Sequence, residues 1–148
     1  LGFELRANPV VSRRVDGKHG RHDVVMDAKR RMLAERGLSR WVEWKPDRIA
    51  ADGQPDPRPQ LYELVQSNCS AWLEARAEAG GFAIDPACLV ADAYQQQAGK
   101  QGQLHFSTVD FRGELTVIDP DRFSATLRQG IGPAKAFGCG LLLVRPLP

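Results

Sequence analysis

A run of glycines near the C-terminus contains the residue types best suited to chemistry. Gly130, Gly132, Gly138 and Gly140 fall within eleven positions, with Lys135 at their centre. Glycine lets the backbone come close to a ligand, and successive backbone amides can point into one concavity that binds phosphate oxygens. Lys135 adds a positive charge. These five residues therefore predict a phosphate-binding loop.

Two familiar phosphate motifs do not fit this loop. The Gly-Lys-Ser/Thr ending of a P-loop is missing, and the run follows a predicted helix where a P-loop follows a strand. A dinucleotide fingerprint opens a helix, whereas this run comes after one. A tight helix-to-strand connection with no ligand is the alternative explanation of the glycines.

Positive charge is concentrated in the first third of the chain. Residues 1–48 carry twelve Lys and Arg against seven Asp and Glu, while residues 49–148 carry eight against eleven. This asymmetry suggests a local anionic partner, although a solvated helix face is the simpler explanation of the charge alone. The candidate phosphate contacts are Arg13, Arg14, Lys18, Arg21, Lys29, Arg30 and Arg31, together with Lys100 at a glycine-flanked turn.

The histidines and cysteines form no recognisable catalytic or metal-binding pattern. His19 and His22 lack a third ligand nearby, and His105 lies alone in a predicted strand. The three cysteines contain no C-x-x-C pair, which argues against a disulfide framework or a zinc site. We expect no metal and no cofactor, buried reduced thiols, a cytoplasmic protein, and no membrane partner because no segment is long and apolar enough to cross a bilayer.

The aromatic residues that could stack on bases are Trp41, Trp44, Trp72 and Phe137. Trp72 fits the buried stripe of a predicted helix, so we expect it in the core. Phe137 is expected to pack beneath the glycine loop. The pattern does not place Trp41 or Trp44.

The order of predicted elements defines a fold. The elements are a strand at residues 3–7, a loop at 12–22, helices at 23–37 and 61–79, strands at 82–84, 90–96 and 104–118 with a bulge between 106 and 109, a helix at 119–130, and a buried strand at 141–144. This is an α+β, ferredoxin-like β-α-β-β-α-β domain with an extra N-proximal helix. A proline-rich insertion covers about residues 38–60.

The glycine run also carries a family resemblance. Residues 130–142, GIGPAKAFGCGLL, closely resemble the C-terminal signature of the CasE family, the pre-crRNA-processing endoribonucleases of type I-E Cascade. Residues 5–10, LRANPV, match the first strand of the family's second domain. Residues 23–29, DVVMDAK, match the start of the helix that follows it.

The resemblance implies a domain assignment and a reaction. Family members have two ferredoxin-like domains, and residues 1–148 resemble the C-terminal, RNA-binding one. The family's catalytic histidine and tyrosine lie in the first domain, so we expect an upstream part to be missing and no catalytic residue here. The implied reaction is metal-independent: the ribose 2′-hydroxyl attacks the adjacent phosphate and leaves a 2′,3′-cyclic phosphate and a 5′-hydroxyl.

The resemblance also implies partners, namely the CRISPR repeat RNA stem-loop and other Cascade subunits. In the family a hairpin of this domain enters the groove at the base of the stem, a role that would fall to the turn around Lys100. Two other functions stay open. One is a non-catalytic RNA-binding or assembly subunit, and the other is a small-molecule enzyme that holds a nucleotide phosphate in the glycine loop.

Overall fold

Seven strands and three helices make up the part of the chain that the structure describes. The computed structural model describes residues 1–35, 37, 61–99, 102 and 104–148. In chain order the elements are β1 (Gly2–Ala7), β2 (Val10–Val15), β3 (Lys18–Asp23), α1 (Val24–Glu35), α2 (Leu61–Ala79), β4 (Phe82–Ile84), β5 (Val90–Ala98), β6 (His105–Val117), α3 (Pro120–Gln129) and β7 (Leu142–Arg145). A short 3₁₀ turn covers Lys135–Phe137.

The main sheet has the topology that the sequence predicted. β6 pairs with β1, and β1 pairs with β7, while β4 and β5 both pair with β6; every pairing is antiparallel. With α2 after the first strand and α3 before the last, this is the ferredoxin-like β-α-β-β-α-β order. The α+β prediction is confirmed, and α1 is the extra N-proximal helix. The predicted insertion at residues 38–60, with Trp41 and Trp44, lies outside the described residues.

One face of the sheet is covered by helices and the other is open. Phe3 and Leu5 of β1 and Phe111 of β6 are buried in one core with Trp72 of α2 and Phe123 of α3. The intervening residues of β1 are exposed, as expected when successive side chains point to opposite faces. The prediction that Trp72 is a core residue is therefore confirmed.

The helices begin where their capping residues predict. The Met26 amide donates to Asp23 Oδ1 over 2.8 Å at the start of α1. At the start of α3, the amides of Asp121 and Arg122 donate to Asp119 Oδ1 over 3.1 and 3.0 Å. The bond from the Arg122 amide and its guanidinium hold the pKa of Asp119 below its ordinary value. The side chain thus satisfies amides that the helix itself leaves unpaired.

The prediction of a loop at residues 12–22 is wrong. β2 and β3 form an antiparallel hairpin in which Val10 pairs with Asp23 and Val15 with Lys18. Asp16 and Gly17 make its two-residue turn with φ of 49° and 79°, the left-handed pair that a tight hairpin requires. Polar residues on both faces of the hairpin conceal the alternation, so only the Asp-Gly pair indicates it in the sequence.

Two strand predictions also need correction. The register shift lies in β5 between Asp92 and Gln95, where Ala93 has φ of 52°, and not in β6. β7 was predicted to be a buried strand, but only Leu142 of β7 is buried. β7 pairs with β1 and lies at the end of the strand order, so its other side chains remain exposed.

The connection from α3 to β7 is held closed by its own backbone. The Ile131 amide donates to the Gly140 carbonyl over 2.8 Å, and the Gly140 amide donates to the Arg6 carbonyl of β1 over 2.7 Å. A Cβ on Gly130 would lie 2.7 Å from the Gly140 carbonyl oxygen, and one on Gly140 would lie 2.9 Å from the Ile131 carbonyl oxygen. Both ends of the loop therefore need glycine because the backbones touch.

We expect Gly130→Ala to destabilise the fold much more than Gly138→Ala. Gly130 has φ of 74° and ψ of 171°, a region nearly restricted to glycine, and its new Cβ would strike backbone. The loss should be about 3 kcal/mol. Gly138 has φ of 84° and ψ of 12° with nothing within 4 Å of its Cβ position, so about 1 kcal/mol should be lost. Urea denaturation of both variants measures the difference, and equal losses would contradict the closed-loop account.

Candidate nucleic-acid interface

Three of the four glycine amides of the loop donate hydrogen bonds to backbone carbonyls of the protein. The Gly130 amide donates to the Thr126 carbonyl over 2.8 Å, that of Gly138 to the Lys135 carbonyl over 3.1 Å, and that of Gly140 to Arg6. The expectation that the glycine amides converge on phosphate is therefore wrong for these three residues. They shape the loop, and their assignment as RNA contacts stays a prediction.

Lys135 lies across the closed loop. Its Cγ is 3.4 Å from the position of a Gly140 Cβ, and its Cε is 3.5 Å from that of Gly130. The side chain is exposed, and within the described part of the chain no carboxylate lies at ion-pair distance from its ammonium group. The fourth glycine, Gly132, would place a Cβ 3.1 Å from the Trp72 ring. The missing Cβ lets the loop lie against the core while Lys135 faces outward.

The hairpin separates the basic residues that the sequence grouped together. Arg14 pairs with His19 and Ser12 with Arg21, so Arg14, His19 and Arg21 share one face. Arg13 lies on the opposite face, where its guanidinium contacts Asp27 of α1 over 2.9 Å. Arg14 Nε donates to the Gly17 carbonyl over 3.2 Å. The basic track is thus two separate surfaces.

Two other predicted contacts contribute differently. Lys29 lies on α1 and is partly buried, and burial lowers the pKa of its ammonium group, opposed by the charge of Asp23. It is therefore less accessible than the hairpin arginines. Lys100 and the residue that follows it lie outside the described residues, so the basic hairpin tip between β5 and β6 stays a prediction.

A cleft of about 270 Å³ opens between the glycine loop, the β2–β3 hairpin and the start of β6. We call it the Asn8 cleft, after the residue that connects β1 to the hairpin. Its lining residues include Asn8, Arg21, His105, Phe106, Ala134 and Phe137. Residues of the glycine loop and the arginine of the hairpin thus line the same concavity.

One polar side chain that lines this cleft, Asn8, was assigned no role by sequence reasoning. Asn8 is only 6% exposed, and its Oδ1 is buried without a hydrogen-bond partner in the described residues. An unpaired buried acceptor costs about 1–3 kcal/mol, so native proteins rarely keep one. Asn8 belongs to the LRANPV segment, but nothing in that pattern reveals that the side chain lacks a partner.

The prediction for the aromatic residue Phe137 is also wrong. Phe137 was expected to pack beneath the loop, but it is 55% exposed. Its ring lies against Phe106 with the centroids 5.3 Å apart and the planes tilted by 32°. The 3₁₀ turn, which starts after Ala134 in a left-handed conformation, directs Phe137 away from the core. The result is an exposed aromatic surface beside the glycine loop.

Asp23, which lines the cleft, connects three neighbouring elements through its side chain. Besides capping α1, its carboxylate accepts a hydrogen bond from the Ser107 hydroxyl and another from the Tyr94 hydroxyl over 3.2 Å. Burial, and after it the charge of Asp23, raises the pKa of Tyr94 well above its usual range. One carboxylate therefore ties α1, β5 and β6 together, and Tyr94 stays protonated.

The described residues contain no cluster of three His, Cys, Asp or Glu that could hold a metal ion. Cys69 and Cys139 are buried free thiols, as expected, whereas Cys88 is exposed. His105 lies in the cleft, yet no described residue hydrogen-bonds to it or orients it. No helix among the described residues is long and apolar enough to cross a membrane. The cleft offers one guanidinium, one carboxylate, an amide and an aromatic surface.

Comparison with known proteins gives the family. A family model described as "CRISPR associated protein" matches residues 1–146. The CRISPR-associated endoribonuclease Cse3 of Thermus thermophilus is 41% identical over 113 residues, which cover 67% of this chain and 50% of the relative. The Cascade subunit CasE of Escherichia coli is 49% identical over 49 residues, which cover 33% of this chain and 24% of the relative.

Solved structures agree in fold. Thermus thermophilus Cse3 bound to an RNA representing a pre-cleavage complex aligns with 98% of this chain and 52% of its own, at a TM-score of 0.61 and 29% identity. Cas6e from Escherichia coli has a TM-score of 0.53 at 24% identity, covers 99% of this chain and 60% of its own, and supports the fold alone. The chain thus spans about half the length of its Thermus relative. The resemblance to CasE is confirmed, and the chain belongs to the CRISPR-associated protein family that includes Cse3 and CasE.

Proposed function

We propose that this chain is the RNA-binding domain of a CRISPR repeat-processing endoribonuclease and that it recognises the repeat stem-loop. The observation that carries the proposal is Lys135, which lies across the closed glycine loop with no carboxylate partner among the described residues. Arg21, which lines the Asn8 cleft, also has no ion-pair partner within that part of the chain.

The charge pattern favours an RNA backbone over a protein carboxylate. Exposed ion pairs such as Arg6–Asp110 are worth little, but each cation that neutralises a phosphate also releases counterions and so gains affinity at low salt. Lys135 is a point charge on a flexible stem, which suits phosphate contact without sequence readout. This supports a role for the loop in positioning RNA.

The relatives support the same function for a longer protein. The curated Thermus relative is named as an endoribonuclease, and structures of Thermus Cse3 bound to RNA have been solved. We propose that the stem-loop is cleaved between this domain and a second domain that supplies the acid and the base, and that the product stays bound to other Cascade subunits. We also propose that the protein is cytoplasmic, in keeping with its free thiols.

We expect Lys135→Ala to weaken binding of a CRISPR repeat hairpin RNA about three- to tenfold at low salt, because one phosphate contact is lost. The slope of log K against log salt should fall by about one. Arg145→Ala is the matched control, since Arg145 is exposed at the end of β1 opposite the glycine loop, where it pairs with Gly2. Filter binding at several salt concentrations measures both variants. Equal slopes for Lys135→Ala and wild type would remove the loop as a phosphate contact.

We expect the 148-residue chain to bind hairpin RNA without cleaving it. Cleavage by 2′-hydroxyl attack needs a base and an acid on opposite sides of one phosphate, and His105 is the one imidazole that lines the described part of the cleft. End-labelled RNA incubated with excess protein should stay intact over hours. A product ending in a cyclic phosphate, absent from a His105→Ala control, would show that this domain carries the catalytic group itself.

A further inference from the structure

The lining of the Asn8 cleft combines a carboxylate with apolar surface. Asp23 lines it with a negative carboxylate, and Val10, Leu104 and Pro133 line it with apolar surface. A phosphate would be repelled there, since Asp23 is anionic and the apolar atoms give no hydrogen bonds. The cation among the lining residues is the exposed Arg21, and the exposed Lys135 follows the lining residue Ala134 in the chain. A neutral, flat group attached to a phosphate backbone would fit this lining.

The orphaned amide of Asn8 supplies the recognition chemistry. Its side chain carries a carbonyl acceptor and an amino donor side by side, and rotation about its last bond can turn either toward the cleft. Its Oδ1 has no partner in the described part of the chain, and the residue is more than nine-tenths buried. A nucleobase edge presents the matching donor and acceptor, as in the pairing of Asn with adenine. A base that donates a hydrogen bond to Asn8 Oδ1 would offset the desolvation cost of this unpaired acceptor.

The aromatic wall supplies a stacking surface. Phe137 keeps 55% of its surface exposed, and Phe106 supports its ring at 5.3 Å. Stacking of a base on an aromatic side chain contributes about 1–3 kcal/mol and is the usual way in which proteins hold unpaired RNA bases. The volume of about 270 Å³ lies just below the range for drug-sized ligands, which suits a single base.

We propose that the Asn8 cleft binds one unstacked base of the RNA, with its face on Phe137, its edge on the Asn8 amide and its phosphate near Arg21. This inference rests on the proposed function, because it assumes that the ligand is RNA. It adds a base-specific contact to a surface whose cations read only the backbone. The base comes from an unpaired position, since turning a paired base out of the stem would cost a few kcal/mol of unpairing and unstacking.

The test pairs protein variants with abasic RNA. The probe is a CRISPR repeat hairpin RNA with three unpaired nucleotides on each side of the stem, and each unpaired nucleotide in the flanks and loop is made abasic in turn. With the wild-type chain, one abasic position should weaken binding about tenfold. Phe137→Ala should weaken binding of the intact RNA by the same factor, and the abasic substitution should then cost nothing further.

Two further variants sharpen the test. Asn8→Leu replaces the orphan by an apolar group of similar size, so it should keep the fold and lose the same tenfold. Tyr62→Ala removes an aromatic ring that is 63% exposed near the start of α2, far along that helix from Trp72, and should change nothing. Because Phe137 is exposed, its variant is informative even if Asn8→Leu unfolds.

The possible results distinguish failure of the base pocket from failure of the proposed function. Hairpin binding that is unchanged by every abasic position and by Phe137→Ala overturns the base pocket and leaves the proposed function intact. A wild-type chain that binds no hairpin at all overturns both. Weakened binding by Phe137→Ala that merely adds to the loss from each abasic position also overturns the pocket, since ring and base would then act independently.

Discussion

The indole of Trp72 is the contact on which the geometry of the site depends. Its Nε1 donates to the Val10 carbonyl at the start of β2 over 2.9 Å, and its ring stacks on Phe111 of β6 at 6.0 Å. The Gly132 backbone lies against its edge. One side chain of α2 therefore sets the spacing between hairpin, sheet and glycine loop. Gly132 is glycine because the loop must lie on this ring.

The segment between β1 and the hairpin is held by hydrogen bonds from α1 and α2. The Val10 carbonyl also accepts from Arg76 over 3.2 Å, and the Pro9 carbonyl accepts from the Val24 amide over 3.0 Å. Arg76 lies 3.9 Å above the Trp72 ring, and burial lowers the pKa of its guanidinium. These bonds leave the backbone around Asn8 little freedom, so its side chain stays among the residues that line the cleft.

Sequence reasoning succeeded where the signal is local. Asp119-Pro120 specifies a helix start by itself, and the apolar alternation of β1 specifies one buried face. It failed where the outcome depends on distant residues. Phe137 is exposed because Ala134 adopts a left-handed backbone conformation. Asn8 Oδ1 is unpaired because no described residue around it supplies a hydrogen-bond donor. Neither property is visible in a one-dimensional pattern.

The glycine loop illustrates how residue type and function can be linked indirectly. A glycine-rich run suggests free amides, yet Gly130 and Gly140 are needed because their backbones close the loop on β1. That closure places Lys135 outward and carries the chain into the turn that presents Phe137. The glycines therefore determine which side chains of the loop face outward. A loop of the same shape with other side chains would keep the fold and lose the charge, so any ligand contact of this loop would depend directly on Lys135 and Phe137 and only indirectly on the glycines.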